Sequence, residues 1–209
     1  HTANVADRAA VHALPQAVVA AHGAVDGIIN NAGIIHPFET VLDLDYDVID
    51  RVIQVNLYGV IHMVKAFLPH LLDRPEAHIT NVSSMGGFMP FPGQTVYGAS
   101  KAGVKLLTEG LYSELLETSV GVSVVMPGAV ATNITGNSGI AGLSPDDAED
   151  APMKPLPAAD AARIVLDGME RDRLHILVGK DAKVMNLASR VAPKWAARFV
   201  QKQMKRLLE

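Results

Sequence analysis

Three short apolar stretches, separated by long helical patterns, constrain this chain more than any other feature. They lie at residues 25–29, 78–82 and 122–126, and each is followed at once by amide, hydroxyl or Pro-Gly residues. Apolar runs of this length, bounded by turn residues, are typical of buried strands. The long patterns between them provide the crossover connections that parallel strands require. The sequence therefore predicts one α/β domain over residues 1–209, with a doubly wound parallel sheet.

Composition and charge exclude several kinds of partner. The 209 residues include 18 basic and 22 acidic side chains, and the net charge of -4 gives no basic field that would attract nucleic acid. Without cysteine the chain has no disulfide or thiolate metal site, and its eight histidines have no metal-ligand spacing, so we predict no metal. No signal peptide is evident, which favours a soluble, cytoplasmic protein.

Helical periodicity fills the sequence between the strands. Asp7 is a candidate N-cap for the first helix, and Pro15 predicts a kink or restart inside it because proline removes a backbone hydrogen bond. Residues 175–178 predict a last strand. The remaining helical patterns lie at 45–72, 95–117 and 158–171.

Asn56 lies inside the apolar stripe of the 45–72 helix. A buried amide must have hydrogen-bond partners, so Asn56 is either a structural cross-link or part of a polar site. On the residues alone, the structural interpretation is favoured.

The stretch from Asn81 to Lys101 contains the residues best suited to chemistry. Ser83 and Ser84 follow a strand, and Tyr97 and Lys101 are four residues apart, which places both on one face of a helix. A nearby ammonium would lower the phenol pKa from its ordinary value of about 10. We therefore expect Tyr97 to act as an acid or base near neutral pH.

Two segments near the carboxyl terminus have distinct compositions. Residues 132–157 are rich in Gly, Pro and acidic side chains and predict a lid over the carboxyl edge of the sheet. Residues 181–209 form a basic amphipathic tail. We favour a terminal helix pair packed on its own domain or on a second subunit, and contact with an anionic membrane surface is the alternative.

Five sequence motifs, in this order, resemble those of the classical short-chain dehydrogenase/reductases. They cover most of the chain, and five in register are far more specific than Tyr-x-x-x-Lys alone. The resemblance implies a single Rossmann-like domain. The motifs are Asn30-Asn31-Ala32-Gly33, Val55-Asn56 with Gly59, Asn81-Val82-Ser83-Ser84, Tyr97-Gly-Ala-Ser-Lys101, and Pro127-Gly128 with Val130 and Thr132.

The resemblance also implies a role for each matching residue. Tyr97 would be the general acid/base, and Lys101 would lower its pKa and bind the nicotinamide ribose. Ser84 would polarise the substrate carbonyl, and we choose it over Ser83 because it is thirteen residues before Tyr97. Asn56 would hold a water that connects Lys101 to solvent. The cofactor-binding residues would be Asn4, Asn31, Tyr97, Lys101, Pro127, Val130 and Thr132.

The implied activity is interconversion of an alcohol and a ketone on a small or hydrophobic substrate, with NAD or NADP as cofactor, in a homo-dimer or homo-tetramer. Moving a hydride requires a nicotinamide, since no side chain supplies one. An apolar set either surrounds the reacting carbon or packs beneath the lid, and the residues favour neither. This set is Met85, Phe88, Met89, Phe91 and Ile134. The alternative function is a non-catalytic fragment or binding protein without a competent cofactor pocket.

One departure from the family pattern concerns the amino terminus. The family begins with a strand and a Gly-rich turn that takes the pyrophosphate, and this chain contains no such turn. His1–Val5 corresponds to the end of the family's third strand, so we expect the first two strands to be missing. The choice between NAD and NADP cannot be read from the residues present.

Overall fold

The computed structural model describes residues 1–140 and 154–204. Residues 141–153 of the predicted lid and 205–209 of the predicted tail lie outside the described residues. The helices are α1 Arg8–His22, α2 Tyr46–Ile53, α3 Gly59–Leu72, α4 Thr95–Glu114, α5 Ile134–Asn137, α6 Ala158–Glu170, α7 Lys180–Val191 and α8 Pro193–Met204. The strands are β1 Gly27–Asn30, β2 Ala77–Val82, β3 Val120–Pro127, β4 Val130–Ala131, β5 Leu156–Pro157 and β6 His175–Val178.

The main sheet is parallel and has the strand order β1-β2-β3-β6. Its four strands are the four that the apolar stretches predict, and their ends differ from the predicted ones by at most two residues. β1 pairs only with β2 among the described strands, and its Ile29 is 48% exposed. The carboxyl ends of the strands share one edge, where open α/β sheets bind ligands.

Helices cover both faces of this sheet. Ile79 and Val122 face a core formed with α1, α3 and α4, whereas Val125 and Ile176 face a second core formed with α6. Because successive side chains of a strand point to opposite faces, Val122 and Val125 belong to different cores. The predicted doubly wound α/β fold is confirmed.

The first residues comprise a segment without secondary structure and α1. α1 begins after Asp7, which caps it as predicted, but it continues through Pro15 without a restart. Residues 1–5 form no strand, because they pair with no other strand of the described sheet. Instead, Val5 contacts the backbone of Gly59, and its carbonyl oxygen lies 3.2 Å from Nδ1 of His62.

The predicted 45–72 helix is continuous but not uniform. A π-helical turn at Gln54–Tyr58 joins α2 to α3, which the apolar periodicity did not predict. The stretch Tyr46–Leu72 is long and apolar enough to cross a membrane by length and composition, with a mean hydropathy of 1.2. Its Val60, Val64 and Leu71 lie in the core with α1 and the sheet, so we interpret it as a core helix.

A buried chain of side-chain hydrogen bonds fixes α4 against the sheet. Nδ2 of Asn30 donates to Oδ1 of Asn81 at 2.7 Å, across two paired strands. Nδ2 of Asn81 donates in turn to the hydroxyl of Thr108 at 3.0 Å, and this hydroxyl donates to the carbonyl of Val104. Buried amides satisfied in this way specify how helix and sheet meet.

The described ends of the predicted lid are ordered against the domain. β4 pairs with β5, which closes the segment at its base. After α5, the hydroxyl of Ser138 accepts from the N–H of Ile35 at 3.0 Å. The first part of this segment therefore lies over the loop that follows β1.

We predict that Gly87→Ala lowers the free energy of unfolding by about 1–3 kcal/mol, because overpacking at backbone contacts displaces neighbouring groups. A Cβ at Gly87 would lie 2.7 Å from Oγ of Ser83 and 2.9 Å from the carbonyl of Lys101. Denaturant unfolding measures the effect. Gly110→Ala is the matched control, since no atom lies within 4 Å of its Cβ position and alanine favours the helix. If the two variants are equally stable, Gly87 does not lie as close to Ser83 and Lys101 as the structure indicates.

Candidate active site

Ser84 and Tyr97 come together beside Gly86. Ser84 follows β2, and its hydroxyl accepts from the N–H of Gly86 at 3.0 Å. A Cβ on Gly86 would lie 3.3 Å from the Tyr97 ring and 3.4 Å from the Ser84 hydroxyl. The absence of a side chain at Gly86 therefore lets the serine and the phenol approach each other.

The two neighbouring serines have different surroundings. The Ser83 hydroxyl is buried and donates to the carbonyl of Lys101 at 2.7 Å, so it anchors the loop to α4. Ser84 is only half-buried and acts on the Tyr97 phenol as a hydrogen-bond partner. Of the two, Ser84 is the one beside the phenol.

Lys101 is buried in the same cleft. Its Nζ donates to the carbonyl of Val82 at 2.8 Å and lies close to Gly33, where a Cβ would come within 3.2 Å. Burial lowers the pKa of Lys101 from 10.5 to about 8, because the charged form loses its hydration. The ammonium is thus hydrogen-bonded to the end of β2 and lies close to the loop after β1.

The expected effect of Lys101 on Tyr97 is not found. Nζ lies 6.0 Å from the centre of the phenol ring. Burial raises the pKa of Tyr97 above its ordinary value, and the hydrogen bond with Ser84 opposes this rise. Desolvation of a phenolate outweighs one hydrogen bond here, so the expectation of a lowered pKa is wrong for this arrangement.

Asn56 is fully buried in the π-helical turn and bonds to two other segments. Its Oδ1 accepts from the N–H of Ile34 and its Nδ2 donates to the Ile34 carbonyl, both at 2.8 Å. Nδ2 also lies 3.1 Å from the hydroxyl of Ser100, which donates to the carbonyl of Tyr97. The amide is therefore a cross-link, as its position in the apolar stripe favoured. Its Oδ1 and Nζ of Lys101 both lie beside Gly33.

Most of the residues predicted to bind a cofactor lie around the carboxyl edge of the sheet. Asn31 and Thr132 are exposed, Pro127 ends β3 and Val130 begins β4. Asn4 precedes α1, and its side-chain oxygen accepts from the N–H of Ala6 at 3.1 Å. The amide nitrogen and the second lone pair of this oxygen leave Asn4 able to contact a ligand, which stays a prediction.

Asp181 supports the Pro127-Gly128 turn and was not predicted as a site residue. Its carboxylate accepts from the N–H of Ala129 at 2.7 Å and occupies the space where a side chain at Gly128 would lie. Asp181 is in the first turn of α7, far from this turn in sequence. The only sign of this contact in the sequence was Gly128 itself. A glycine can indicate that another group lies close to the backbone, but it does not identify that group.

Gln94 and His36 form a second buried polar contact near the site. Nε2 of Gln94 donates to the carbonyl of His36 at 2.6 Å, three residues before Tyr97 in the chain. Sequence reasoning did not select either residue, because neither belongs to a chemical motif. The contact holds the start of α4 against the loop that follows β1.

Four residues of the predicted apolar set pack against the terminal helices. Met89 is buried against Ala196 and Val200 of α8, and Met85, Phe88 and Phe91 pack partly against the same cluster. Packing therefore accounts for Met89, but its partners belong to the terminal helices and not to the predicted lid. The cluster seats the terminal helices on the loop between Ser84 and Tyr97.

Comparison with known proteins decides the family. A family model described as short chain dehydrogenase matches residues 1–141. A Mycobacterium tuberculosis protein named SadH, described as an oxidoreductase, is 34% identical over 199 residues, which cover 90% of this chain and 70% of that protein. The chain belongs to the short-chain dehydrogenase family. It is therefore an oxidoreductase by family.

Solved structures agree with this assignment. A Burkholderia phymatum short-chain dehydrogenase/reductase in complex with NAD matches with a TM-score of 0.77 and 28% identity, covering 90% of this chain and 74% of that one. A Sphingobium yanoikuyae short-chain dehydrogenase in complex with NADPH matches with a TM-score of 0.72 and 25% identity, covering 98% and 73%. This short-chain dehydrogenase spans about three quarters of the length of each of these two structures.

We predict that Asn56→Leu lowers the free energy of unfolding by about 2–5 kcal/mol, because the N–H and the carbonyl of half-buried Ile34 both lose their partner. Denaturant unfolding measures the loss. The matched control is Gln54→Leu, since Gln54 is exposed in the same π-helical turn and its replacement should change stability by less than about 0.5 kcal/mol. Similar small losses for both variants would contradict the cross-link.

The pKa of Lys101 predicts a pH dependence of stability. Between pH 8 and 9.5, folded Lys101 loses its proton whereas unfolded lysine keeps it, so the unfolded state binds more protons. Stability of the chain relative to Lys101→Met should therefore rise with pH over this window, by up to about 2 kcal/mol. It should not change between pH 6 and 7. Urea unfolding of both proteins across this range tests the sign, and a falling difference would contradict it.

Proposed function

We propose that this short-chain dehydrogenase interconverts an alcohol and a ketone on a small or hydrophobic substrate, with NAD or NADP. The observation that supports this most is the meeting of Ser84, Tyr97 and Lys101 at the carboxyl edge of the sheet. Ser84 lies in the loop that follows β2, and Tyr97 and Lys101 lie on α4. A hydroxyl, a phenol and a cation brought together there match the needs of carbonyl reduction.

The residues present fit a nicotinamide cofactor. Lys101 has three donors, and among the described residues one acceptor, the Val82 carbonyl, is recorded for it. A buried ammonium with unused donors suits the hydroxyls of a ribose. Asn31, Pro127 and Thr132 would line the same edge, and Val130 would lie beside them. The cofactor, when bound, supplies the hydride that no side chain can provide.

Tyr97 would transfer the proton. Because burial raises its pKa, the phenol keeps its proton across the neutral range and is ready to donate to a developing alkoxide. Ser84 would donate a hydrogen bond to the same oxygen and so stabilise its negative charge. In the oxidation direction, Tyr97 would receive the alcohol proton only in its phenolate form, so alkaline pH would favour this direction.

The local surface favours a hydrophobic substrate. Phe88, Phe91 and Met85 lie in the loop between Ser84 and Tyr97 and are only partly buried. Ligand pockets are mostly lined by apolar side chains, so the exposed parts of these three residues would face the substrate.

We predict that Tyr97→Phe reduces turnover at least about 100-fold, because the proton donor is lost, while NADH or NADPH binding changes little. Turnover is measured with a panel of hydrophobic ketones, and cofactor binding by nicotinamide fluorescence. Tyr112→Phe on the same helix is the matched control and should keep its activity, since Tyr112 packs against the main core.

Two results would contradict the proposal. Substantial turnover by Tyr97→Phe would remove Tyr97 from its role. The unaltered chain is also tested with each cofactor at millimolar concentration. If neither NADH nor NADPH changes its fluorescence or melting temperature, the chain would be interpreted as a binding protein or inactive fragment instead of an enzyme.

A further inference from the structure

The terminal helix pair exposes a set of large apolar side chains. Spacings of three and four residues place Val184, Leu187 and Val191 on one face of α7, and Trp195 and Phe199 on one face of α8. Leu187 and Val191 are 65% and 76% exposed, and Trp195 and Phe199 are 58% and 42% exposed. We call these five residues the terminal apolar face.

The terminal apolar face is not a loosely packed part of the core. The helix pair already has an inward face, with Ala182, Ala196 and Val200 buried and Ala196 and Val200 packed against Met89. Packing on the chain's own domain, which the sequence favoured, therefore accounts for the inward side only. The outward side needs another explanation, because contiguous exposed apolar groups usually mark an interaction surface.

Basic side chains surround the terminal apolar face. Lys180–Met204 contains six of the chain's 18 basic residues and one of its 22 acidic residues. All six are exposed, and no ion pair joins any of them to a carboxylate within residues 1–140 and 154–204. These six are Lys180, Lys183, Arg190, Lys194, Arg198 and Lys202.

The junction of the two helices combines both properties. Trp195 and Phe199 stack with their ring centres 5.4 Å apart. Beside them lies an open groove of about 470 Å³, lined by Trp195, the cations of Lys194 and Arg198, and the turn residues Ala192 and Pro193. An aromatic pair flanked by cations is the composition of helices that lie in a membrane interface.

We propose that α7 and α8 dock this protein on the surface of an anionic phospholipid bilayer. The apolar side chains would enter the headgroup boundary while the surrounding lysines and arginines contact lipid phosphates. A second copy seated face to face would bring six cations against six, which is unfavourable. An anionic bilayer complements both the charge and the apolar surface.

The docking would also orient the candidate active site. The inward side of α8 packs on Met89, in the loop between Ser84 and Tyr97. A bilayer beneath the outward side would therefore lie one helix layer from that loop. This goes beyond the proposed activity and does not depend on it, since membrane binding is measured without turnover.

Trp195 is the chain's single tryptophan and provides a direct probe. The full chain is titrated with vesicles of phosphatidylcholine, alone or mixed with phosphatidylglycerol, at low and high salt. We expect a blue shift of tryptophan emission and co-sedimentation with the mixed vesicles at low salt, and weaker binding at high salt because ions screen the attraction.

A matched pair of variants isolates the surface. Lys194→Gln with Arg198→Gln should weaken partitioning roughly 30-fold, from about 1 kcal/mol for each cation near a membrane. Arg163→Gln with Arg171→Gln removes the same charge from exposed positions of α6 and the turn after it and should leave partitioning within about twofold. Phe199→Ser should reduce binding without changing the salt dependence.

Several results would overturn the proposal. Absence of both the blue shift and co-sedimentation with mixed vesicles would do so, as would equal binding to both vesicle types. A dimer whose tryptophan emission is already blue-shifted without vesicles would assign the face to a second copy. Binding to duplex DNA in place of vesicles would assign it to nucleic acid.

Discussion

The paired hydrogen bonds between the Asn56 amide and the peptide groups of Ile34 are the interaction on which the site depends. They fix the loop after β1 against the π-helical turn, and the contact with Ser100 extends the link to the backbone of Tyr97. In a buried environment each of these groups would be costly to leave without a partner. The arrangement of loop, turn and α4 is therefore specified by one side chain, which also stands beside Lys101.

Burial acts on the two ionisable groups of the site in opposite directions. It raises the pKa of the Tyr97 phenol and lowers that of the Lys101 ammonium, because in both cases the charged form loses water. Both groups are thereby shifted toward their neutral forms. The Val82 carbonyl accepts from Nζ of Lys101 and so orients the ammonium, while Ser84 partly opposes the rise in the pKa of Tyr97.

The loop between Ser84 and Tyr97 connects the chemistry to the outer surface. Its apolar residues pack on the terminal helices, while Asp181 at the start of α7 supports the turn after β3. The terminal helices therefore hold two of the loops that frame the site from outside the sheet. If α7 and α8 bind a membrane, the effect of binding on the site would pass through the close packing of these helices on the two loops, and no hinge would be needed.

The amino-acid sequence by itself determined the four main strands, the positions of the long helices and the shared helix of Tyr97 and Lys101, because these follow from apolar periodicity and from spacing along one helix. It also marked Asn56 as a residue that needs partners, without naming them. Only the tertiary structure decided that Ile34 is that partner, that the helix makes a π turn there, and that Asp181 lies against Gly128. It also reversed the expected pKa of Tyr97. These outcomes depend on distances between segments far apart in the chain and on burial, which local sequence patterns do not contain.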